Sequence, residues 1–222
     1  MSDPAADITN FEAMRHSMVQ SQLRTNAVDD PRVLAAMGRV AREKFVPATA
    51  RAMAYRDTAI PIGNGRYLNV PIATGKLLTQ AYLTREDRVL LIGAARGYTA
   101  AVLSELVASV VAVESDADLA AGARDALSGL SNVDLIEGPL EEGCASAGPY
   151  DVLVVDGAVD GLGGSLAGQM MPGARVVTGI VERGVPRLAT GRMVNGSFGL
   201  RAFADIDCVA LPGFARPQSF AF

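Results

Sequence analysis

The sequence has a single histidine, two cysteines and no tryptophan among its 222 residues. His16 lies in a helical-looking polar segment, so we predict a solvated or capping role for it rather than catalysis. A Ser-His-Asp triad or a multi-histidine metal site would have to be built around that one side chain. Cys144 and Cys208 are too few and too far apart to suggest a disulfide framework or a zinc site. We therefore expect no bound metal and a mechanism that works without imidazole.

A basic excess and long apolar runs are also missing. The net charge is −4 and the isoelectric point is near 5.1, whereas a nucleic-acid partner normally requires a basic face. No run approaches the roughly 18 uninterrupted apolar residues of a membrane span, and the N-terminus lacks the charged and apolar regions of a signal peptide. These absences predict a cytoplasmic protein without a nucleic-acid or membrane partner. They leave its oligomeric state open.

Half of the residues are hydrophobic, which is enough to bury the core of one domain over residues 1–222. Within it we distinguish an extension of helices and loops over 1–83 from a core over 84–222. The spacing of apolar residues and the positions of Pro and Gly predict the elements of the extension. These are helices over 11–23 and 32–40, a loop or hairpin over 55–71, and a helix over 71–82 that Asn69 can cap.

From Asp87 onward, apolar runs alternate with helical segments. The predicted strands cover 88–92, 109–114, 133–136, 150–156 and 174–180, and the predicted helices cover 98–108, 116–130 and 162–171. Strands separated by helices indicate right-handed crossovers and a parallel sheet with helices on both faces. Segments 191–200 and 203–211 follow without a helix between them and predict an antiparallel hairpin at the sheet edge. The fold class is therefore α/β and Rossmann-like.

A strand, a turn of small residues and a helix follow one another from Asp87 to Tyr98, and Glu114 ends the next apolar run 21 positions after Gly93. This layout is typical of nucleotide-type cofactor sites, in which the carboxylate takes the ribose hydroxyls. The turn lacks both a complete G-x-G-x-x-G and the Lys and Ser/Thr of a P-loop, so a cofactor without phosphate fits better. Residues at strand ends should converge on one crevice. They are Gly93, Gly97, Glu114, Gly138 and Asp156.

Several motifs follow one another in the order and spacing of a known family. They are Met18-Val-Gln-Ser-Gln-Leu-Arg24, Asp30-Pro-Arg-Val-Leu-Ala-Ala-Met37, Phe45-Val-Pro47, Ala54-Tyr55, Ile60-Pro-Ile-Gly-Asn-Gly65, Val89-Leu-Leu-Ile-Gly93, Gly97-Tyr98 with Ala101-Val-Leu103, and Asn132-Val133. With these motifs the chain resembles the protein-L-isoaspartate O-methyltransferases, which are S-adenosylmethionine-dependent repair enzymes. The resemblance covers most of the chain. It implies the class I methyltransferase fold, a seven-stranded, mostly parallel sheet with helices on both faces and an antiparallel last strand.

The resemblance also implies methyl transfer from S-adenosylmethionine to isoaspartyl carboxylates in damaged proteins or peptides. The cofactor residues that it implies are Gly93, Ala94, Arg96, Gly97, Glu114, Gly138 and Pro139, with Glu114 on the ribose. Tyr67 and Asn69 stand where the family has substrate-holding Thr and Ser hydroxyls. We expect them to orient the substrate carboxylate with phenol and amide donors.

Three motifs depart from the family pattern. Arg66-Tyr-Leu-Asn-Val-Pro71 replaces Gln-Thr-Ile-Ser-Gln-Pro, Leu91-Ile-Gly-Ala-Ala-Arg-Gly97 replaces Glu-Ile-Gly-Thr-Gly-Ser-Gly, and Gly138-Pro139 replaces Gly-Asp. An alanine at position 95 strains the backbone if that position requires a positive φ. Arg96 can repel the sulfonium of the cofactor, attract its carboxylate or point away, and the sequence leaves these orientations open.

Two other functions stay open. The altered motifs also fit a degenerate methyltransferase-fold protein that acts as a binding or regulatory module. Arg66 and Tyr67 also fit a methyltransferase with a different acceptor, such as an acidic small molecule. At the C-terminal end, Phe214, Phe220 and Phe222 predict a tail packed across the core rather than a partner-binding motif.

Overall fold

The computed structural model describes residues 10–214. Helix α1 (Phe11–Ser17) begins after Asn10, whose side chain accepts a hydrogen bond from the Ala13 amide at 2.9 Å. A π-helical segment (Met18–Leu23) and a 3₁₀ turn (Arg24–Asn26) continue it. His16 is exposed in the last turn of α1, in agreement with the solvated role predicted for it.

Helix α2 (Pro31–Arg39) confirms the predicted Asp-Pro start. Asp30 caps the helix by accepting a hydrogen bond from the Arg32 amide, and Pro31 occupies the first helical position, where its missing N–H leaves no bond unmade. Two 3₁₀ segments, Arg42–Phe45 and Ala48–Met53, then lead towards the strands.

The Pro- and Gly-rich stretch forms an antiparallel hairpin of β1 (Ile60–Gly63) and β2 (Arg66–Leu68). Its turn places Asn64 at φ 50° and Gly65 at φ 71°. Helix α3 (Pro71–Gln80) follows, and its N-cap is Val70 with no side-chain hydrogen bond. The prediction that Asn69 caps this helix is therefore wrong, because the Asn69 amide is used for tertiary hydrogen bonds instead.

The central sheet has seven strands in the order β5-β4-β3-β6-β7-β8-β9. Their bounds are β3 (Arg88–Ile92), β4 (Ser109–Glu114), β5 (Val133–Glu137), β6 (Tyr150–Val159), β7 (Met170–Glu182), β8 (Val185–Val194) and β9 (Ser197–Ala204). The first five in this spatial order are mutually parallel. Strand β8 is antiparallel to β7, and β9 is antiparallel to β8. The order reverses between β3 and β6, which is where α/β sheets bind ligands.

Helices connect the parallel strands. They are α4 (Tyr98–Ser104), α5 (Ala117–Leu127) and the short α6 (Gly164–Ala167), with a 3₁₀ turn at Ala145–Ala147 before β6. The helix predicted over 162–171 is thus reduced to one turn. Gly163, Gly164 and Gly168 lie in this stretch, and glycine disfavours helix by about 1 kcal/mol per residue.

The antiparallel end of the sheet is confirmed, but the prediction misplaced its hairpin. The predicted strand over 191–200 is interrupted by Asn195 and Gly196, which turn the chain from β8 into β9 with φ values of 50° and 77°. Two consecutive residues with positive φ form the tight turn that matches the twist of paired strands. Beyond Ala204 the chain leaves β9 and pairs again with β6 at an isolated bridge between Ala210 and Ala158, so the strand predicted over 203–211 is wrong.

Two apolar cores lie on opposite faces of the sheet. In β3, Val89 and Leu91 belong to one core, and Leu90 and Ile92 belong to the other, as the alternation of a strand requires. The first core also contains the buried side chains of the N-terminal extension and of α3 to α5. Phe214 packs in the second core, as predicted, whereas Phe220 and Phe222 lie outside the described residues.

Candidate functional site

The turn after β3 carries much of its backbone in the left-handed region. Gly93, Ala95 and Gly97 have φ values of 81°, 52° and 97°. A left-handed conformation costs a residue with a Cβ about 1–2 kcal/mol. Ala95 adopts this conformation in the turn, which lowers the stability of the folded protein. The amides of Gly93 and Ala94 donate to the Val113 carbonyl at 3.0 Å. They are therefore not presented as phosphate donors, which agrees with a cofactor that lacks phosphate.

Glu114 ends β4 beside this turn and is fully buried. Backbone amides surround its carboxylate: Ala95 donates to Oε2 at 2.7 Å, and Ser115 and Asp116 donate to Oε1 at 2.8 and 3.0 Å. The cofactor turn and the start of α5 therefore hold one carboxylate in place. The interval from Gly93 predicted a carboxylate at the end of this strand, and the hydrogen bond from Ala95 places Glu114 beside the turn.

Arg66 completes the surroundings of Glu114. From β2 it donates through Nη1 to Oε1 at 2.7 Å and through Nη2 to Oε2 at 3.1 Å, and the pair is buried. The sequence suggested that Arg66 could favour an acidic acceptor, but in the structure its guanidinium is bonded to Glu114. No local pattern signals an ion pair between residues 48 positions apart.

Arg96 lies against α5. Its guanidinium packs over Gly122 of α5, where an added Cβ would come within 2.9 Å of Arg96 Nη2. Gly122 thus provides the space that this side chain occupies. The sequence left three orientations of this side chain open, and the structure shows the guanidinium packed against α5. The role of Arg96 at the cofactor stays a prediction.

The segment after β9 crosses the point where the strand order reverses. Ala158 donates to the Val209 carbonyl at 2.7 Å, and the Leu211 amide donates to the Ala158 carbonyl at 3.0 Å. The Leu211 side chain rests on Gly93 and Gly157, where added Cβ atoms would lie 2.9 and 2.4 Å from it. Leu211 therefore covers the carboxyl ends of β3 and β6.

An open cleft of about 450 Å³ lies beside Ser115, the residue that follows Glu114. It is lined by Ser115, Glu137, Gly138, Pro139, Glu141, Pro212 and Gly213. The predicted cofactor residues Gly138 and Pro139 thus face the same cleft, at the carboxyl end of β5. The donor set fits an adenosine-type cofactor, with a carboxylate for the ribose and a cleft for the base, provided that Glu114 exchanges its bonds to Arg66.

A second cleft, of about 800 Å³, lies against the hairpin and the segment after β9. Its lining includes Asn26, Asp57, Thr58, Tyr67, Asn69, Ile72, Asp207 and Cys208. Tyr67 is 48% exposed, and among residues 10–214 its hydroxyl has no hydrogen-bond partner. The structure therefore brings both predicted substrate residues, Tyr67 and Asn69, to the wall of one cleft.

Asn69 joins three parts of the chain. Its Nδ2 donates to Asp156 Oδ1 at 2.8 Å, its Oδ1 accepts from the Val209 amide at 2.8 Å, and its carbonyl accepts from Arg42 Nη2. Asn69 is 1% exposed. Its side chain is therefore fixed at the cleft wall by the end of β6 and by the segment that carries Leu211.

Asp156 links Asn69, at the wall of the second cleft, to two helices. Besides Asn69, it accepts hydrogen bonds from Thr99 Oγ1 at 2.5 Å and from Thr74 Oγ1 at 3.4 Å. Thr99 belongs to α4, which begins directly after the cofactor turn, whereas Thr74 belongs to α3. One buried carboxylate thus ties Asn69 to α3 and to the helix that follows the turn over 93–97.

Arg42 is the fully buried cation beneath this network. Its Nε donates to the Ala54 carbonyl at 2.8 Å, and its guanidinium lies 4.6 Å from the ring centre of Tyr98. Burial lowers the pKa of Arg42, and the charge of Asp156 opposes this shift. The cation therefore fixes the Asn69 backbone and faces a buried carboxylate across the network.

Cys208 lines the substrate-side cleft as a free thiol. Burial, with the nearby Asp156 charge, raises its pKa to about 12. A neutral thiol is a poor nucleophile, so Cys208 contributes to the wall of the cleft rather than to the chemistry.

Among residues 10–214, no helix is long and apolar enough to cross a bilayer. In the same part of the chain, no group of three or more His, Cys, Asp or Glu side chains is arranged to hold a metal ion.

The seven-stranded sheet and the carboxylate at the end of β4 define a class I methyltransferase fold. Two solved structures support it. A protein-L-isoaspartate O-methyltransferase superposes with a TM-score of 0.80 at 21% identity, covering 90% of this chain and 67% of that one. A Plasmodium falciparum protein-L-isoaspartate O-methyltransferase, solved with S-adenosyl-L-homocysteine, gives 0.75 at 17% identity and covers 92% of this chain and 99% of its own.

Sequence comparison identifies the family. Residues 14–211 match the family Protein-L-isoaspartate(D-aspartate) O-methyltransferase. The Koribacter versatilis protein-L-isoaspartate O-methyltransferase is 38% identical over 209 residues, 93% of each chain. Protein-L-isoaspartate O-methyltransferase 1 of Rhodopseudomonas palustris is 40% identical over 174 residues, which cover 77% of this chain and 71% of its own. The chain belongs to the protein-L-isoaspartate(D-aspartate) O-methyltransferase family, and the predicted family, fold class, enzyme class and cofactor are confirmed.

Proposed function

We propose that this chain transfers the methyl group of S-adenosylmethionine to isoaspartyl carboxylates in damaged proteins and peptides, and that it does so in the cytoplasm. One observation carries the proposal: Tyr67 and Asn69 face an open cleft that the Asp156 network joins to the turn beside Glu114. The free thiols of Cys144 and Cys208 are consistent with a reducing compartment.

The acceptor needs little activation. A carboxylate is ionised at pH 7, so it attacks without a general base, and the cofactor supplies an electrophilic methyl group when it is bound. The work of the protein is then to align the acceptor and to exclude water. This agrees with a site that has no histidine and only an inert thiol.

Tyr67 and Asn69 are the proposed donors to the acceptor. Asp156 takes one of the two hydrogens on Asn69 Nδ2, which leaves the second for a substrate carboxylate. The Tyr67 hydroxyl is unengaged at the rim and can donate to the other oxygen. Hydrogen bonds to a charged group contribute about 1.5–3 kcal/mol each.

The residues for the cofactor follow from the same geometry. Glu114 would hold the ribose, Gly138 and Pro139 would border the base, and the turn over 93–97 would face the methionine part. The position of Arg96 against α5 supports a role in packing rather than in contact with the cofactor. Because the extension over 1–83 provides Tyr67 and Asn69 while the core over 84–222 provides Glu114, we propose that both parts act as one domain.

The cleft also indicates which substrates suit it. Two exposed carboxylates, Asp57 and Asp207, stand among its lining residues. A peptide that carries Lys beside its isoaspartate would bring a compensating charge to them. Such a peptide is therefore the best first substrate.

The experiment is a methylation assay with labelled S-adenosylmethionine on an isoaspartyl peptide and on the same peptide with ordinary aspartate. Only the isoaspartyl peptide should be labelled. Tyr67→Phe should lower kcat/KM about 10-fold, because it removes one donor to a charged acceptor. Tyr82→Phe, which removes an exposed hydroxyl far from the cleft, is the matched control. Equal labelling of both peptides, or none at saturating cofactor, would contradict the proposal.

One observation favours a second candidate, a methyltransferase fold that acts only as a binding module. Arg66 is hydrogen-bonded to Glu114, and Leu211 covers Gly93. Other residues of the protein therefore already contact both of these proposed cofactor residues. This candidate predicts that S-adenosylhomocysteine does not bind at all, which a titration can decide directly.

A further inference from the structure

We infer that Arg66 and the ribose of the cofactor compete for Glu114, and that this exchange controls the hairpin carrying Tyr67. Arg66 is then a positioning residue that couples cofactor binding to the substrate cleft. The inference rests on the proposed function, because it takes S-adenosylmethionine as the ligand of Glu114.

The first step is that Glu114 has no free acceptor position. A carboxylate offers about four lone-pair sites, and three backbone amides and two guanidinium nitrogens already point at it. Ribose hydroxyls can therefore bond to Glu114 only if a present donor leaves. The three amides are fixed in the backbone of the turn after β3 and of the junction between β4 and α5, so Arg66 is the donor that can move.

The second step is that the Glu114 charge tolerates the exchange. The pair is buried, and a buried carboxylate stripped of its partners would be strongly destabilised. Here the amides of Ala95, Ser115 and Asp116 stay in place, and the ribose hydroxyls restore the bonds that Arg66 gave. Glu114 remains solvated by donors in both states.

The third step is that Arg66 has a second destination. Asn64, in the turn of the same hairpin, already donates to Asp116 Oδ2 at 2.8 Å and to Asp118 Oδ2 at 3.2 Å. The charge of Arg66 also contributes, as a minor cause, to the lowered pKa of Asp116. The first turn of α5 thus offers carboxylates to a displaced guanidinium, at the surface and within reach of the hairpin.

The consequence reaches the substrate cleft through the backbone. Arg66 and Tyr67 are neighbours on β2, a strand of only three residues, and Asn69 follows directly after it. While Arg66 is bonded to Glu114, the hairpin is anchored over the cofactor residues. When the cofactor takes Glu114, that anchor is lost, while Asn64 still holds the turn of the hairpin to Asp116 and Asp118. Tyr67 can then adjust to a substrate, so the cofactor should bind first.

Titration calorimetry with S-adenosylhomocysteine tests the competition. Arg66→Gln should tighten binding at least about 10-fold, because the ligand no longer displaces a bidentate ion pair. Arg66→Lys keeps the positive charge but loses the bidentate guanidinium. Its affinity for S-adenosylhomocysteine should therefore lie between those of wild type and Arg66→Gln. Arg56→Gln removes an exposed arginine of the same extension and should bind like wild type. A purely structural role for Arg66 would weaken binding in Arg66→Gln instead.

Hydrogen exchange with mass spectrometry tests the coupling. In wild type, saturating S-adenosylhomocysteine should speed exchange in peptides covering residues 60–69, since the hairpin loses its anchor. In Arg66→Gln this exchange should already be fast without ligand and should change little on binding. Unchanged or slower exchange in wild type would contradict the release of the hairpin. Arg66→Lys provides the same comparison if Arg66→Gln does not fold.

The outcomes separate this inference from the proposed function. Equal affinity in wild type and Arg66→Gln overturns the competition but leaves cofactor binding intact. No binding by either variant overturns both, and it supports the binding-module candidate.

Discussion

Ala95 has a left-handed backbone, a conformation that favours glycine, at a turn position where the chain has no glycine. It sits at φ 52° between two glycines that also have positive φ. Its amide holds Glu114, so the conformation is imposed by the site rather than chosen by the residue. The strain is local and is offset by the rest of the fold.

Replacing Ala95 with glycine should stabilise the protein by about 0.5–1 kcal/mol, because relief of left-handed strain exceeds the entropy gained by the unfolded chain. Urea unfolding measures the change. Ala94→Gly, at the adjacent buried position without positive φ, is the control and should destabilise. A loss of stability in Ala95→Gly would show that the methyl contact outweighs the strain.

At the scale of residues, the sequence could predict the position of Glu114 but not its ion pair with Arg66. The interval from Gly93 is a local pattern, and it follows from the geometry of one strand-turn-helix unit. The Arg66–Glu114 pair and the Asn69–Val209 hydrogen bond join residues far apart in the chain. Such contacts depend on how separate elements pack, so no spacing rule signals them.

At the scale of elements, α5 shows how a cap can serve two purposes. Asp116 accepts a hydrogen bond from the Leu119 amide at 3.0 Å and also receives the Asn64 side chain from the hairpin. The Leu119 amide, followed by Asn64, holds the pKa of Asp116 below its usual value. The same carboxylate thus starts a helix and docks the hairpin.

This shift sets the sign of a pH effect. The stabilisation by Asp116 should be complete above pH 3.8, its ordinary value, and should be lost as the pH falls through the lower folded pKa. Asp116→Asn keeps a capping oxygen but cannot ionise, so it should be less stable than wild type at neutral pH by about 0.3–1 kcal/mol. Urea unfolding across the acid range should show this difference closing as wild type is protonated. A constant difference would mean that the charge is not involved.

Elements were predicted well where one force dominates. The buried strands β3, β4 and β6 have continuous apolar runs, and α2 has both an N-cap and a first-position proline. The errors fall where turn chemistry competes with apolar content. The Asn195-Gly196 turn divided one predicted strand, and three glycines shortened the helix before β7.

At the scale of the whole molecule, Gly157 marks where distant parts of the chain meet. A Cβ there would lie 2.4 Å from Leu211 Cγ and 2.8 Å from the Val209 carbonyl. Gly157→Ala should therefore push the segment over 207–211 away from the sheet and destabilise the protein by about 1–3 kcal/mol.

Thermal unfolding of Gly157→Ala tests this. Gly163→Ala is the matched control, since nothing lies within 4 Å of an added Cβ at that glycine, and it should leave stability nearly unchanged. If both variants unfold at the same temperature as wild type, the segment over 207–211 does not pack against Gly157 as tightly as described.

The hydrogen bond from the Val209 amide to Asn69 spans 140 residues. A ribosome releases Asn69 long before it releases Val209, so the wall of the proposed substrate cleft can form only after 140 further residues have been made. A truncated chain could build most of the sheet and still leave Asn69 without the partner that fixes its side chain. The wall of the proposed substrate cleft would then be complete only in chains that have reached Val209.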